Sequence, residues 1–187
     1  MRRPEVVDFL LTRRSRPPKT LQAPGPDREA LLRLMTAAAR APDHGKLEPW
    51  RFVVLTGAGK ARFAAEIRAR AAETGADADK GALVFEQAPV SVAVVASPKP
   101  SEKIPDIEQT LSAGAVTLGL LNAALADGWG AGWLTGWPVY DRAFIADALG
   151  LAPGEWVAGF VHIGTCPMEV PDRPRPDVPA LVTWIEA

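Results

Sequence analysis

Cysteine and histidine are both scarce in this sequence of 187 residues, which contains only Cys166, His44 and His162. A single cysteine excludes an intramolecular disulfide and any CxxC redox or zinc pair. Three such side chains are also too few for a zinc site, and we predict no bound metal. Cys166 has no visible activating partner and is predicted to be an inert thiol. The lack of disulfides agrees with a reducing cytoplasm, which is the expected location.

Several functional motifs are absent as well. The chain has no GxGxxG after a predicted strand, no P-loop, no HExxH and no GxSxG, so the functions that those motifs carry are not indicated. Glu5 and Asp8 interrupt the apolar residues near the N-terminus, which argues against a signal peptide. The longest apolar run, residues 111–126, is too short and too rich in Ser, Thr and Asn for a membrane span. We therefore expect no membrane partner.

Charge is nearly balanced overall but not along the chain. The net charge is −1 and the pI is about 6.1. The first 51 residues contain eleven Lys and Arg against six Asp and Glu, a balance of +5, and the remainder contains ten against sixteen, a balance of −6. The basic first quarter indicates an anionic partner, either a phosphate-bearing small molecule or nucleic acid. Because the pI is low and no basic stripe or nucleic-acid-binding motif is present, we expect no nucleic-acid partner.

Helical and extended patterns alternate along a chain of single-domain length, which predicts an α/β or α+β sandwich. Asp27 and Asp141 stand where a helix N-cap is needed. The run 111–126 is rich in small residues, so it is a core helix, a helix buried at a subunit interface, or both. Exposed connections are predicted at 75–81 and 98–105. The predicted helices are 4–12, one after Asp27 that buries Leu31, Leu32, Leu34, Met35 and Ala38, 60–74, 111–126 and 141–149; the predicted strands are 52–55, 90–96, 131–138, 156–163 and 180–185.

A loop between a predicted helix and a predicted strand is the densest in chemistry. It contains Asp43, His44, Gly45, Lys46 and Glu48, and prolines mark both of its ends. Loops held between rigid elements are favoured places for ligand-binding groups. His44 is therefore a candidate base or hydrogen-bond donor. His162, within an apolar run, is predicted to be a core residue.

Two further segments point to a ligand. The segment 13–19 (R-R-S-R-P-P-K) is either a phosphate cradle or a solvated basic loop. The segment 130–138 (G-A-G-W-L-T-G-W-P) combines tryptophan with glycines, which let a ligand approach the backbone closely. Together with Arg40 and His44, these segments suit a planar, phosphorylated aromatic cofactor.

On these motifs the sequence resembles the FMN-dependent nitroreductase family, in its short YdjA-like branch. The matching segments run in order over nearly the whole chain: R-R-S at 13–15, A-A-R-A-P-D-H-G-K-L-E-P-W-R-F at 38–52, S-A-G-A-V at 112–116, D-G-W-G-A-G-W-L-T-G at 127–136 and G-F-V-H-I-G-T at 159–165. The resemblance implies an α+β fold with a central, mostly antiparallel sheet flanked by helices. It also implies one domain over residues 1–187, in an intertwined homodimer that holds FMN at the subunit interface. The tail 165–187 is expected to extend onto the partner subunit.

The resemblance also implies site residues. Arg40 and His44 match positions that reach the flavin of the other subunit, and Leu134 departs from relatives that carry arginine there, which makes Arg173 or Arg175 a candidate phosphate ligand. The implied FMN-binding residues are Arg13, Arg14, Ser15, Arg40, His44, Trp133, Leu134 and Thr135, and the implied nicotinamide nucleotide segment is Ala123, Ala124, Leu125, Ala126, Asp127 and Gly128.

The implied reaction is hydride transfer from NADH or NADPH to FMN and then to a small acceptor, such as a nitroaromatic or a quinone. FMN carries this chemistry, so no side chain is expected to act as a catalytic acid, base or nucleophile. Arg13 or Arg14 is expected to stabilise negative charge on the reduced flavin, and His44 to position it. Two alternatives stay open: an FMN- or nucleotide-binding module without turnover, and a flavin dehydrogenase of the same fold with a non-nitro substrate.

Overall fold

A computed structural model describes residues 2–186, so Met1 and Ala187, the ends of the predicted domain, lie outside the described residues. Within this part of the chain, seven α-helices and four β-strands follow one another, as the alternating sequence pattern predicts. The helices are α1 Pro4–Thr12, α2 Arg28–Ala38, α3 Gly57–Thr74, α4 Ala78–Gln87, α5 Asp106–Ala126, α6 Trp137–Tyr140 and α7 Arg142–Leu149; the strands are β1 Trp50–Leu55, β2 Val90–Ala96, β3 Gly130–Leu134 and β4 Trp156–Gly164.

The four strands pair into one antiparallel sheet in the order β1-β2-β4-β3. Every residue of β2 is buried, because helices cover both faces of the sheet at its centre. Helices α2 and α5 cover one face, and α3, α4 and α7 cover the other. This arrangement is the α+β fold with an antiparallel sheet that the family resemblance implies, and that expectation is confirmed.

The two faces of the sheet have separate cores. On one face, Leu34 of α2 and Leu120 of α5 pack against Val92 of β2. On the other face, Phe63, Phe85 and Phe160 pack edge to face, and the ring centroid of Phe85 lies 4.9 Å from that of Phe63 and 4.8 Å from that of Phe160. Such aromatic pairs stabilise a fold beyond their buried area. The site described below lies at the margins of these cores.

Helix α5 is the longest element and combines two kinds of surface. Its mean hydropathy is 1.2 over 18 residues, so by length and composition alone it is apolar enough to cross a membrane. Its packing against the sheet and α2 accounts for that composition, as in the core helix of any globular domain. Ile107, Leu111 and Leu118 nevertheless stay exposed on its opposite side.

The N-terminal helix and the C-terminal tail also expose apolar side chains. None of the residues of α1 is buried, although Val6, Val7 and Leu10 are apolar. In the tail, Trp184 is 79% exposed and Ile185 is 96% exposed. Large apolar surface of this kind marks an interaction site.

Local capping explains several boundaries. The Asp27 carboxylate accepts a hydrogen bond from the Ala30 N–H at 2.9 Å and starts α2, and Asp141 caps α7 through the Phe144 N–H at 3.2 Å. Both caps confirm the sequence-based predictions. Leu32, predicted to be buried in α2, is instead 54% exposed.

Three further sequence-based predictions were wrong. The segment 75–81 is not simply a loop, because Asp77 caps helix α4, its carboxylate accepting from the Lys80 N–H at 3.0 Å. The predicted strand 131–138 ends at Leu134, and Trp137 opens the short helix α6. The predicted strand 180–185 is not extended into the sheet; a 3₁₀ turn spans Pro179–Leu181, and the tail that follows pairs with no strand of the described chain.

Candidate functional site

The basic segment 13–16 lies along strand β3. The Arg16 N–H donates to the Ala131 carbonyl oxygen at 2.7 Å. A Cβ added to Gly132 would lie 2.5 Å from the Arg16 carbonyl oxygen, so only glycine allows this approach. The glycine in β3 is therefore what lets the arginine segment reach the sheet.

Arginines and glycines line a cavity of about 280 Å³ at the beginning of β3. Its walls come from the end of α1, the arginine segment, the end of α5, the beginning of β3 and Cys166, two residues after β4. The lining residues are Phe9, Thr12, Arg13, Arg14, Arg16, Leu125, Gly128, Trp129, Gly130 and Cys166. Three arginines line this cavity, with no aspartate or glutamate among its lining residues, which makes it suitable for an anion.

Arg13 is the most constrained of these cations. Its Nη2 donates to the Ser15 hydroxyl at 2.9 Å, whereas its Nε is buried and has no hydrogen-bond partner within residues 2–186. Burial, followed by the nearby positive charges of Arg175 and Arg14, lowers the pKa of Arg13 below its ordinary value. A buried donor without an acceptor is costly, and an anion would relieve both the missing hydrogen bond and the repulsion.

The C-terminal tail returns to the arginine segment and brings a further arginine near it. Arg14 Nε donates to the Pro171 carbonyl oxygen at 3.2 Å and lies 3.4 Å from Asp172 Oδ1. Arg175 Nη2 is 2.6 Å from the same Asp172 oxygen. Asp172 thus holds Arg14 and Arg175 together, and of the two candidate tail arginines Arg175 is the one whose charge acts on Arg13.

The other end of β3 presents Trp133, Leu134 and Thr135. Trp133 is 36% exposed and its indole packs onto Gly159 of β4, where an added Cβ would collide with the ring. Thr135 Oγ1 lies 3.5 Å from the hydroxyl of Tyr140, which is exposed. The two ends of β3 are about 13 Å apart at the usual rise per residue. An elongated ligand can therefore contact both groups.

Arg40 and His44 lie elsewhere. Arg40 is exposed beyond the end of α2, and His44 Nδ1 lies 2.6 Å from Glu108 Oε2 in the first turn of α5. The cavity that contains Arg13 adjoins Leu125 in the last turn of that helix. Seventeen residues of helix separate the two places by about 25 Å. One chain therefore does not bring His44 to Arg13.

The segment predicted for the nicotinamide nucleotide is the end of α5 and the turn after it. Ala124 is fully buried in the core, while Leu125 and Gly128 line the arginine cavity. Asp127 is 2.6 Å from Arg33 Nη2 and also accepts from the indole N–H of Trp129 at 3.2 Å. Ala126, Asp127 and Gly128 are exposed, and Ala123 is half-buried.

His162 lies in the core, as its apolar neighbours in the sequence predict. Its Nδ1 is 2.8 Å from the Ser91 hydroxyl, and both side chains are buried. Burial, with a smaller contribution from Lys60, lowers the pKa of His162 to about 3. The imidazole is therefore neutral and structural rather than a proton donor to the site. Within residues 2–186, no group of three or more His, Cys, Asp or Glu side chains could hold a metal ion.

The fold and this distribution of arginines can now be compared with known proteins. The profile of the Nitroreductase family matches residues 10–165, a range that includes Arg13, Arg14, Ser15, Arg40, His44 and the segment 123–135. This chain belongs to the nitroreductase family. Like the family as a whole, the enzyme is an oxidoreductase.

Curated relatives in the nitroreductase family cover most of the chain. The "Putative NAD(P)H nitroreductase YdjA" of Escherichia coli K12 is 33% identical over 164 residues, which span 86% of this chain and 88% of the relative. The "Putative NAD(P)H nitroreductase" of Haemophilus influenzae is 36% identical over 165 residues, with the same coverage of both chains.

Solved structures share the fold. A nitroreductase-like family protein from Bacillus cereus aligns with a TM-score of 0.81 at 22% identity, over 100% of this chain and 99% of that one. A Desulfovibrio desulfuricans protein described as a "putative nitroreductase in complex with fmn" aligns with a TM-score of 0.75 at 21% identity, over 100% of both chains.

Sequence reasoning missed several residues of this site. Asp172 and Glu108 act through contacts with distant parts of the chain, and Tyr140 contacts Thr135 across the turn into α6. No local motif marks these three residues. Asp43 stands in the predicted ligand loop, but its role in folding the loop is visible only in the structure. The residues that the sequence did identify fall into two groups at opposite ends of α5.

Proposed function

We propose that this nitroreductase family member is an FMN-dependent NAD(P)H oxidoreductase that reduces a small acceptor, such as a nitroaromatic or a quinone, in the cytoplasm. The observation that supports this proposal best is Arg13: its Nε is buried without a partner within residues 2–186, beside a cavity lined by further arginines. When bound, FMN supplies the redox chemistry, taking a hydride from NADH or NADPH and delivering it to the acceptor.

The residues present fit FMN. Arg13, Arg14 and Ser15 offer donors for the phosphate or for the electron-rich side of the ring system, and Arg175 replaces the arginine that relatives carry at the position of Leu134. Trp133 and Thr135 lie at the far end of β3, about 13 Å from these groups, so an elongated cofactor can contact both. A guanidinium beside the ring stabilises added negative charge where water is excluded. The protein thus binds and orients FMN, and no side chain needs to accept or donate a proton in the hydride step.

A two-fold dimer through α5 explains the exposed face of that helix. Ile107, Leu111, Leu118 and Asn122 lie on this face, and they are arranged symmetrically about the midpoint between Gly114 and Ala115. An antiparallel α5 pair centred there places Leu111 of each chain against Leu118 of the partner subunit. Nothing lies within 4 Å of a Cβ added to Gly114, so this point is open to a second helix.

The same pairing would complete the cofactor site. It brings the first turn of one α5, with His44, to the last turn of the partner's α5, beside the arginine cavity. Arg40 and His44 would then approach a cofactor held mainly by Arg13 and Arg14 of the other subunit. Two identical sites would form in each dimer, and neither would form in a monomer.

The C-terminal tail fits a groove on the second subunit. Pro26, Leu31, Leu32, Met35 and Val54 line an apolar groove of about 600 Å³ between α2 and the edge strand β1. Leu181, Trp184 and Ile185 are the most exposed apolar side chains of the tail. We propose that the end of the 165–187 tail, from Val178 onward, extends across the partner and covers this groove and edge, while Pro171 and Asp172 stay beside Arg14 of their own chain.

The first experiment is the visible spectrum of the purified protein, followed by anaerobic addition of NADH and, separately, NADPH. Flavin bands near one per chain that bleach on addition would support the oxidoreductase and identify the donor. Bound flavin that neither nucleotide reduces would favour a binding module without turnover. Arg13→Ala is expected to lose flavin, whereas Arg62→Ala, which removes only an exposed pair with Glu66, should retain it.

A further inference from the structure

The contact between His44 and Glu108 joins a loop to the first turn of α5 across 64 positions of sequence. His44 Nδ1 is 2.6 Å from Glu108 Oε2, and the two side chains are 63% and 44% exposed in the single chain. An exposed pair of this kind contributes little to stability. The pair can still position the imidazole, because the turn that carries His44 is held firmly.

The turn that carries His44 has an unusual backbone. Gly45, Lys46 and Glu48 all have positive φ angles, of 71°, 54° and 48°. Side chains other than glycine rarely adopt this conformation, and it is retained where the surroundings require it. The Asp43 carboxylate imposes it by accepting from the Leu47 N–H at 3.2 Å and the Glu48 N–H at 2.8 Å.

Helix α5 fixes the same turn at two more points. The Ser112 hydroxyl donates to the Pro42 carbonyl oxygen at 2.7 Å and accepts from the indole N–H of Trp50 at 3.2 Å. A Cβ added to Gly45 would lie 2.4 Å from the Ile104 side chain, so the turn is packed tightly against the segment before α5. The backbone beneath His44 is thus held rigidly, and Glu108 is the group that holds its ring.

We propose that Glu108 is a positioning residue that fixes the His44 imidazole with its proton on Nδ1 and leaves Nε2 as the atom that contacts the ligand. A carboxylate only accepts hydrogen bonds, so the ring nitrogen facing it carries a proton. In the neutral ring, Nε2 then accepts a hydrogen bond from a ligand hydroxyl or N–H. The inference rests on the proposed function, in which His44 contacts the FMN of the partner subunit.

The test uses nitrogen NMR of the imidazole rings, because the chain contains only two histidines. His162 is buried, with its Nδ1 held by Ser91, and serves as an internal reference. In the flavin-free wild type, at a pH where the ring is neutral, His44 should show the tautomer with hydrogen on Nδ1. Glu108→Ala should release it to a mixture, whereas Glu108→Gln, whose amide oxygen can accept the same bond, should restore it. Asp106→Ala removes a like charge from the same helical turn and should leave the tautomer unchanged.

The second readout is FMN affinity, measured by titration with the same variants. Glu108→Ala should weaken binding roughly tenfold, and so should His44→Ala, since either change removes one hydrogen bond. The double variant should bind no more weakly than His44→Ala alone, because Glu108 acts through the imidazole. Asp106→Ala should bind as the wild type does.

Two kinds of failure are distinguishable. A wild type that binds no FMN would refute the proposed function, while the NMR spectra would still decide whether Glu108 sets the tautomer. A wild type that binds FMN beside a Glu108→Ala variant of equal affinity would refute the positioning role alone. So would a Glu108→Ala spectrum identical to that of Asp106→Ala.

Discussion

The contact between Gly132 and Arg16 can be tested with a single methyl group. In Gly132→Ala, the new Cβ would lie 2.5 Å from the Arg16 carbonyl oxygen, whereas ordinary contacts begin at 3.4 Å. The arginine segment and β3 must therefore separate by about 0.9 Å. The Arg16 N–H to Ala131 oxygen distance, now 2.7 Å, would lengthen beyond hydrogen-bonding range.

The cost of this change has two parts. Forcing a methyl group into packed backbone costs about 1–3 kcal/mol, and the lost hydrogen bond adds about 0.5–1.5 kcal/mol. A total of roughly 2–4 kcal/mol lowers the melting temperature of a chain of this size by about 5–15 °C. Because Arg13 and Arg14 belong to the displaced segment, FMN affinity should fall as well.

The assay is thermal unfolding of the flavin-free protein, followed by FMN titration at the same protein concentration. Gly59→Ala is the matched control, because Gly59 lies in α3 and nothing stands within 4 Å of its added Cβ. Alanine favours helix, so this control should be as stable as the wild type or slightly more stable. If Gly132→Ala unfolds at the same temperature as Gly59→Ala and binds FMN as tightly as that control, the contact does not position the arginine segment.

Three further predictions concern the tail, the core and the interface. Arg175→Ala should weaken FMN binding about tenfold or more in titrations, while Arg173→Ala should have little effect, since only Arg175 acts on Arg13. His162 has a pKa of about 3 in the folded protein, well below its ordinary 6.5. Its contribution to the free energy of unfolding is therefore complete above pH 6.5 and is lost as the pH falls toward 3. Denaturant unfolding should show this as a slope of about 1.4 kcal/mol per pH unit below pH 6.5, and His162→Gln should remove it. Leu118→Glu, which places a charge against Leu111 of the partner subunit, should shift sedimentation toward a species of about 19.9 kDa and release flavin; an unshifted dimer would exclude the α5 interface.

Elements with local signals were predictable from the sequence. Asp27 and Asp141 cap α2 and α7 where the sequence places them, and the apolar run 90–96 forms the buried strand β2. Helix α4 was missed because the glycines at both ends of the segment 75–81 are typical of a loop. Gly75 does end α3, but Gly81 is a helix residue that must be small, since an added Cβ would lie 2.7 Å from the side chains of Ile67 and Trp137.

The predicted strand 180–185 shows the limit of propensity. Leu181, Val182 and Ile185 favour an extended conformation, but a strand needs a hydrogen-bonding neighbour, and the described chain gives this segment none. An apolar run near a chain end therefore does not reveal from sequence alone whether its neighbour lies in the same subunit.

The candidate site was predictable in its parts but not in its arrangement. The arginine segment and the Gly/Trp strand were both identified, and the structure joins them through Gly132. The pairing of Glu108 with His44, and of Asp172 with Arg14 and Arg175, depends on how helices and the tail pack. Contacts across such distances in sequence leave no local pattern.

The separation of His44 from Arg13 along a rigid helix has a consequence for mixtures of subunits. If each site takes its arginines from one chain and its histidine from the other, a chain without Arg13 and a chain without His44 are defective in different halves. Co-expressed, the two defective chains would form mixed dimers in which one site carries both defects and the other carries none. At an FMN concentration that leaves both defective chains largely without flavin, such a mixture would regain up to half of the flavin per mixed dimer.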